Sequence, residues 1–422
     1  MQINELLNGI PACACGKAHA CPIENVIIRE GAFSSIPEIV KDHKHILLVA
    51  DENTYRAAGE DVVLRLGRRL ESALVFPGDH VVIPNEKAIA AIESHLTPET
   101  DLIVGVGSGV INDLCKITSF KHGLRYDIVA TAPSMDGYAS VGSALILEGM
   151  KVTLNAAVPR SIVADTTVLA KAPAEMIRAG YGDIIGKYSC LNDWRLASAV
   201  LGEYICPTVW DATMEEVKKT VRLADGIREG DPKAIGALME ALVAVGILMA
   251  YVGNSRPASG SEHHLSHYFE IVGIERKEDY LPHGIDVCFS AVLTARLREE
   301  LLALPSLDGF EYTFNKEKYE AEIRRIYGGV AGEVLALQEK LGWYACDRVS
   351  VYREKWEEIK KILADAPSAD EMLALARRVG LDEQSFYGLY SKEKIDDALL
   401  YAKDLKDRYT VLWMYYDLFG QK

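Results

Sequence analysis

The chain is short of basic charge, of cysteine and of repetitive or low-complexity sequence. Its 422 residues carry 46 Lys and Arg against 61 Asp and Glu, a formal net charge of −15. That balance excludes nucleic acid or an anionic membrane surface as the expected partner. An anionic small molecule remains compatible where local Arg, Lys or helix N-termini receive it. Eight cysteines are too sparse and scattered for a disulfide scaffold, so most are read as reduced. The first residues, Met1 to Glu5, lack the basic and apolar regions of a signal peptide. No apolar run is expected to reach the roughly 20 residues of a membrane helix. The cytoplasm is the expected location.

What is present is enough apolar residue, 49% of the chain, to bury a core in each of two domains. His45–Ala50 is a short continuous apolar run, as in a strand buried on both faces, and Asp51 follows it. Leu74–Phe76, Asp101–Val106, residues 126–131, Ala144–Leu147 and Ser161–Asp165 read as further strands, with a helix over 85–97. This alternation predicts an α/β N-terminal, Rossmann-like nucleotide-binding domain over residues 1–168. Beyond it, apolar residues recur at three and four positions over 173–200, 213–229, 232–252, 262–272, 284–303, 315–340, 353–365, 368–379 and 392–418. An all-α C-terminal domain over 169–422 is expected, with a fixed cleft between the two.

Four groups of residues carry chemistry. Gly105-Val106-Gly107-Ser108-Gly109 follows a strand and opens a helix through Val110, Ile111, Asn112 and Asp113. Such a turn lets the backbone approach a pyrophosphate while the helix N-terminus faces it. The third glycine of the ordinary Rossmann fingerprint is missing, and a plain tight turn is the bland alternative. Asp51, after its strand, suits a ribose and leans toward NAD, because a carboxylate repels a 2′-phosphate. Thr131, Ser134 and Ser140 crowd a second turn with hydroxyls suited to a cofactor, and Asp136 among them suits a substrate hydroxyl. Asp183 lies in a helix among Gly180, Gly182 and Gly186, and a buried Asp there needs a partner. Finally, His263 and His267 stand four apart on one helical face, with His283 soon after. Neutral imidazoles clustered in this way suit a divalent ion, Zn, Ni or Fe. Cys13, Cys15, His19 and Cys21 form a second possible metal set, although C-x-C departs from the usual spacing.

The run Ser255-Arg256-Pro257-Ala258-Ser259-Gly260-Ser261-Glu262-His263, followed by Ser266-His267, resembles the metal-dependent glycerol dehydrogenase and iron-type alcohol dehydrogenase superfamily. It looks closest to the glycerol-1-phosphate dehydrogenase branch, in its bacterial AraM-like form. The resemblance implies the dehydroquinate synthase-like, iron-type alcohol dehydrogenase architecture and an NAD or NADP cofactor. By motif position it implies Asp183, His263 and His283 as metal ligands, with Asp183 also reaching the substrate. It implies His267 and Asp136 on the substrate side. The cofactor residues it implies are Gly109 through Asp113, Thr131, Ser134 and Ser140. The substrate it implies is a small phosphorylated three-carbon compound, reduced reversibly from dihydroxyacetone phosphate to sn-glycerol 1-phosphate. Relatives of this kind form homo-oligomers, so a dimer or larger assembly is expected. The phosphate ligands are not evident from the sequence; Arg256 is the candidate to test, although an Arg before Pro257 is as often a structural surface residue. Two rival readings share the architecture: a dehydrogenase of an unphosphorylated polyol such as glycerol, and a 3-dehydroquinate synthase-type lyase.

Overall fold

The computed structural model describes residues 1–147 and 150–420. Its strands in chain order are β1 (Asn25–Arg29), β2 (Ile46–Asp51), β3 (Leu70–Phe76), β4 (Leu102–Gly107), β5 (Tyr126–Ala130), β6 (Gly142–Leu147), β7 (Met150–Asn155) and β8 (Ser161–Asp165). Six of them form one parallel sheet in the order β1-β8-β5-β4-β2-β3, and β6 and β7 pair as an antiparallel hairpin. Every residue of β4, β5 and β8 is buried, and all of β2 but Asp51. That two-sided burial is why these strands read as unbroken apolar runs. The edge strands β1 and β3 are only partly buried, and β1 carried no comparable signal.

From β2 the chain moves outward to β3, then returns to lay β4 against the other side of β2. The order of strand addition therefore reverses between β2 and β4. In open α/β sheets the ligand crevice lies at the carboxyl ends of the strands at such a reversal. Asp51 ends β2 and Gly107 ends β4, so the residues singled out for a nucleotide stand at that point.

The chain gathers into two compact units. Residues 1–184 and 218–254 make the first, and residues 185–217 and 255–422 the second. The helices Ala174–Leu201 and Pro207–Arg222 run through the division and belong to both. Pro232–Val252 corrects one sequence expectation: it is an apolar helix of 21 residues, long enough to cross a membrane by length and composition. It is instead largely a core helix, 78% of its most apolar window being buried. Gly246 brings it onto the turn Asp136–Ala139, where an added Cβ would stand 2.8 Å from Cβ of Ala139.

The second unit is helical, its core built around residues such as Leu196, Leu301, Tyr352, Ile359 and Trp413. The helix read over 315–340 is two helices, Lys316–Tyr327 and Ala331–Leu341, broken at Gly328, whose positive φ (+50°) an L side chain rarely adopts. The stretch 392–418 is likewise broken, into Lys392–Tyr401, a 3-10 turn and Val411–Phe419. There the buried Asp404 carboxylate accepts from Lys403 Nζ at 2.8 Å and Tyr344 Oη at 2.7 Å.

Candidate active site

The helix Ser261–Arg276 carries His263 and His267, and His283 opens the helix His283–Leu302. The ring centroids lie 6.2 Å apart for His263 and His267, 5.1 Å for His263 and His283, and 5.6 Å for His267 and His283. His263 is buried, while His267 and His283 are partly exposed. The entry into the first helix is fixed from below: Asp193 accepts from the Ser261 amide at 2.7 Å and from the Val411 amide at 2.8 Å. Gly260 is required there, because an added Cβ would sit 2.6 Å from Cα of Cys190. Ser266 Oγ lies 3.2 Å from His283 Nδ1.

Glu262 was not singled out by the sequence. Its Oε1 lies 2.7 Å from His263 Nδ1 and accepts from the Gly260 amide at 2.8 Å. With the proton on Nδ1, the lone pair of Nε2 is left to a ligand, the arrangement that orients metal-binding histidines. Burial holds His263 well below the usual imidazole range, reinforced by Lys187, His283, Lys406 and His267, which favours the neutral ring. Burial, with the nearby Asp193 charge, pushes Glu262 up to about 8. A cation at the histidines favours its carboxylate form.

Asp183 lies on the shared helix Ala174–Leu201 and is fully buried. Gly180, one turn earlier, allows that helix to press on the loop after β5, since an added Cβ would come within 1.8 Å of the Pro133 carbonyl oxygen. The approach lets the Asp136 amide donate to Asp183 Oδ2 at 3.0 Å. Gly186, one turn later, packs in the same way on Val287 and Glu262. These two close contacts flank Asp183 on the helix. Asp183, His263 and His283 each offer a ligand atom, all within 4.8 Å of one another. The mixed N and O donors suit a divalent ion with a coordination position left open.

At the nucleotide end, Ser108 precedes the helix Gly109–Lys121, and Ser108, Gly109 and Val110 are partly exposed. Gly107 serves packing, because a Cβ there would meet Ile111 at 2.6 Å. Ile111 and Asn112 are buried, and Asn112 Nδ2 donates to the Gly137 carbonyl at 3.3 Å. Asp113 accepts from the Ala144 amide at 3.1 Å and so fastens the β6–β7 hairpin. Lys116, also missed by the sequence, is buried and donates to the carbonyls of Gly137 and Gly142 at 2.9 and 2.7 Å. The Thr131 amide donates to the Gly107 carbonyl at 3.1 Å, joining the two turns. Ser134 is partly exposed, and Ser140 Oγ donates to the Gly137 carbonyl at 3.1 Å. Asp51 Oδ1 caps its own helix, accepting from the amides of Asn53 and Thr54 at 2.8 and 2.9 Å. The partly exposed residues of this turn are thus Ser108–Val110, while Asn112 and Asp113 bond to the neighbouring turn and hairpin.

Arg256 is committed elsewhere. Its guanidinium clamps Glu203, with Nε–Oε1 2.6 Å, and donates to the Tyr409 carbonyl at 2.8 Å. Lys187 and Lys406 are the cations whose charge acts on His263.

Residues 27–173 match the family model for the iron-containing alcohol dehydrogenases. A glycerol-1-phosphate dehydrogenase [NAD(P)+] of Bacillus velezensis is 35% identical over 407 residues, 92% of this chain and 90% of the relative. That of Geobacillus thermodenitrificans is 29% identical over 93% of this chain and 92% of its own length. Among solved structures, sulfoacetaldehyde reductase from Bifidobacterium kashiwanohense in complex with NAD+ shares the fold, with a TM-score of 0.58 and 13% identity over 96% of this chain and 99% of that one. The chain belongs to the glycerol-1-phosphate dehydrogenase family of the iron-containing alcohol dehydrogenases.

Proposed function

We propose that this chain catalyses the reversible, metal-dependent reduction of dihydroxyacetone phosphate by NADH or NADPH, giving sn-glycerol 1-phosphate. The observation that carries the reading is the set Asp183, His263 and His283, with Glu262 orienting the first histidine, in a chain of this family. When bound, the divalent ion supplies Lewis acidity toward the substrate oxygens and the nicotinamide supplies the hydride.

The protein's own residues do the rest. Asp183, His263 and His283 hold the ion, and Glu262 keeps His263 in the ligating tautomer. The Asp136 amide fixes Asp183, and the Asp136 side chain meets a substrate hydroxyl. The partly exposed His267 faces the substrate, and it or a water relays a proton to the carbonyl oxygen as the carbonyl carbon is reduced. Amides of Ser108, Gly109 and Val110 receive the cofactor pyrophosphate at the helix N-terminus. Asp51 meets the ribose, and Thr131, Ser134 and Ser140 frame the cofactor from the second turn. Lys187 and Lys406 favour an anionic substrate in a chain whose net charge is −15. In this reading the enzyme works in the cytoplasm as a homo-oligomer.

The test compares dihydroxyacetone phosphate with unphosphorylated dihydroxyacetone as oxidants of NADH. Strong preference for the phosphate ester supports the reading, and equal use returns the polyol dehydrogenase. A lyase of the 3-dehydroquinate synthase type recycles its NAD and shows no net NADH consumption.

A further inference from the structure

The N-terminal segment holds a second group of soft ligands, which shares no residue with the group of Asp183, His263 and His283. Ile10 and His19 form an isolated antiparallel bridge, closing a loop over residues 10–19. Within it the Gly16 amide donates to the Cys13 carbonyl at 2.9 Å, and the Cys13 amide to the Lys17 carbonyl at 3.2 Å. Gly16 takes the left-handed backbone this tight turn demands (φ +84°). The turn brings Cys13, Cys15 and His19 together, their ligand atoms all within 4.8 Å of one another. Cys15 Sγ lies 3.3 Å from His19 Nε2.

The orientation of His19 is an independent observation. The ring is buried, stacks on Tyr251 at 5.3 Å and 12°, and bonds through Nδ1 to the Tyr251 carbonyl at 2.8 Å. A carbonyl accepts only, so the proton sits on Nδ1 and the Nε2 lone pair faces the thiols. A backbone carbonyl fixing the second nitrogen is the usual support of a metal-bound histidine. Cys21, which the sequence offers as a possible fourth member, is not part of the group. Among the described residues the cysteines form no disulfide.

We propose that Cys13, Cys15 and His19 hold a structural zinc ion, with Cys206 as fourth ligand. Cys206 is a buried thiol just before the helix Pro207–Arg222, and it belongs to the same ligand group. Three thiolates and one imidazole make a closed tetrahedral set, as structural zinc sites have and catalytic ones lack. The ion ties down a segment that otherwise has little core of its own.

Metal analysis of the full chain carrying His263→Ala and His283→Ala tests this without contribution from the active site. One zinc ion per chain is expected to remain, to be lost on adding Cys13→Ser or Cys206→Ser, and to persist with Cys21→Ser. Cobalt loading of the unmutated chain is a second readout, since only thiolate ligands give a near-ultraviolet sulfur-to-cobalt charge-transfer band. No residual zinc in the histidine variant, zinc unchanged by Cys13→Ser, or a cobalt spectrum without that band overturns the proposal.

Discussion

Glu262 Oε1 stands 2.7 Å from Nδ1 of its sequence neighbour His263. Both residues are buried, and His263 groups with the Asp183 carboxylate and the His283 imidazole. Glu262→Gln keeps the shape and loses the charge. The expected result is a fold that survives and a metal affinity lowered by about 10- to 100-fold, the usual cost of losing such a partner. Metal titration of the purified variant reads this directly, and unchanged affinity contradicts the orienting role.

His263→Ala and His283→Ala are expected to strip the active-site ion and abolish turnover. His267→Ala is expected to keep most of the metal and to raise the KM or lower the kcat for substrate. Parallel measurement of metal content and kinetics separates the two classes. Equal metal loss in all three variants shows that ligand and substrate roles are wrongly divided among the rings.

Lys187→Met and Lys406→Met test the charge around the histidines. The expected effect is a KM for dihydroxyacetone phosphate raised about tenfold or more, as loss of a charge-assisted contact implies. Turnover of unphosphorylated dihydroxyacetone should change little. Equal effects on both substrates place these lysines in the scaffold and leave the phosphate ligand unidentified.

Gly180→Ala is informative because its ordinary sign is reversed. In a helix interior this change normally stabilises by up to about 1 kcal/mol. Here the new methyl group would meet the Pro133 carbonyl oxygen at 1.8 Å. A loss of about 1–3 kcal/mol is expected, together with weaker metal binding, because the loop that fixes Asp183 through the Asp136 amide must move. A chemical denaturation curve and a metal titration check both.

His264 tests the cost of a buried imidazole. It is fully buried, and neither ring nitrogen has a hydrogen-bond partner. Burial, with Lys406, Arg408 and Arg256 nearby, holds it well below the usual range. The folded state therefore binds fewer protons than the unfolded one. Its stability is intact above about pH 6.5 and declines as the pH falls below that value. His264→Phe removes the term, and the variant is expected to gain about 2 kcal/mol relative to the parent at pH 5, with little difference at pH 8. Denaturation at the two pH values measures the difference.

The legible parts of the fold and site were those whose signal is local. β2, β4 and β5 are buried on both faces, so each is a continuous apolar run. His263 and His267 share a helical face by spacing alone. Gly180 and Gly186 announced close packing around Asp183 before any partner was visible. Other features depend on contacts between distant segments. β1 lies at an edge and has no run to read. Arg256 is open between a phosphate ligand and a structural residue until Glu203 and the Tyr409 carbonyl take its donors. Cys206 lies too far along the chain for any spacing rule to join it to Cys13 and Cys15. Glu262 was readable in principle, since a carboxylate beside a ligating histidine is a common orienting device.

The most direct measurement follows NADH absorbance with dihydroxyacetone phosphate after EDTA treatment, then after adding back Zn, Ni or Fe. Oxidation lost on chelation and restored by one of these metals is the expected result, and it names the working ion. Oxidation that survives complete metal removal, or none with any metal and either nicotinamide cofactor, contradicts a metal-dependent reduction of this substrate.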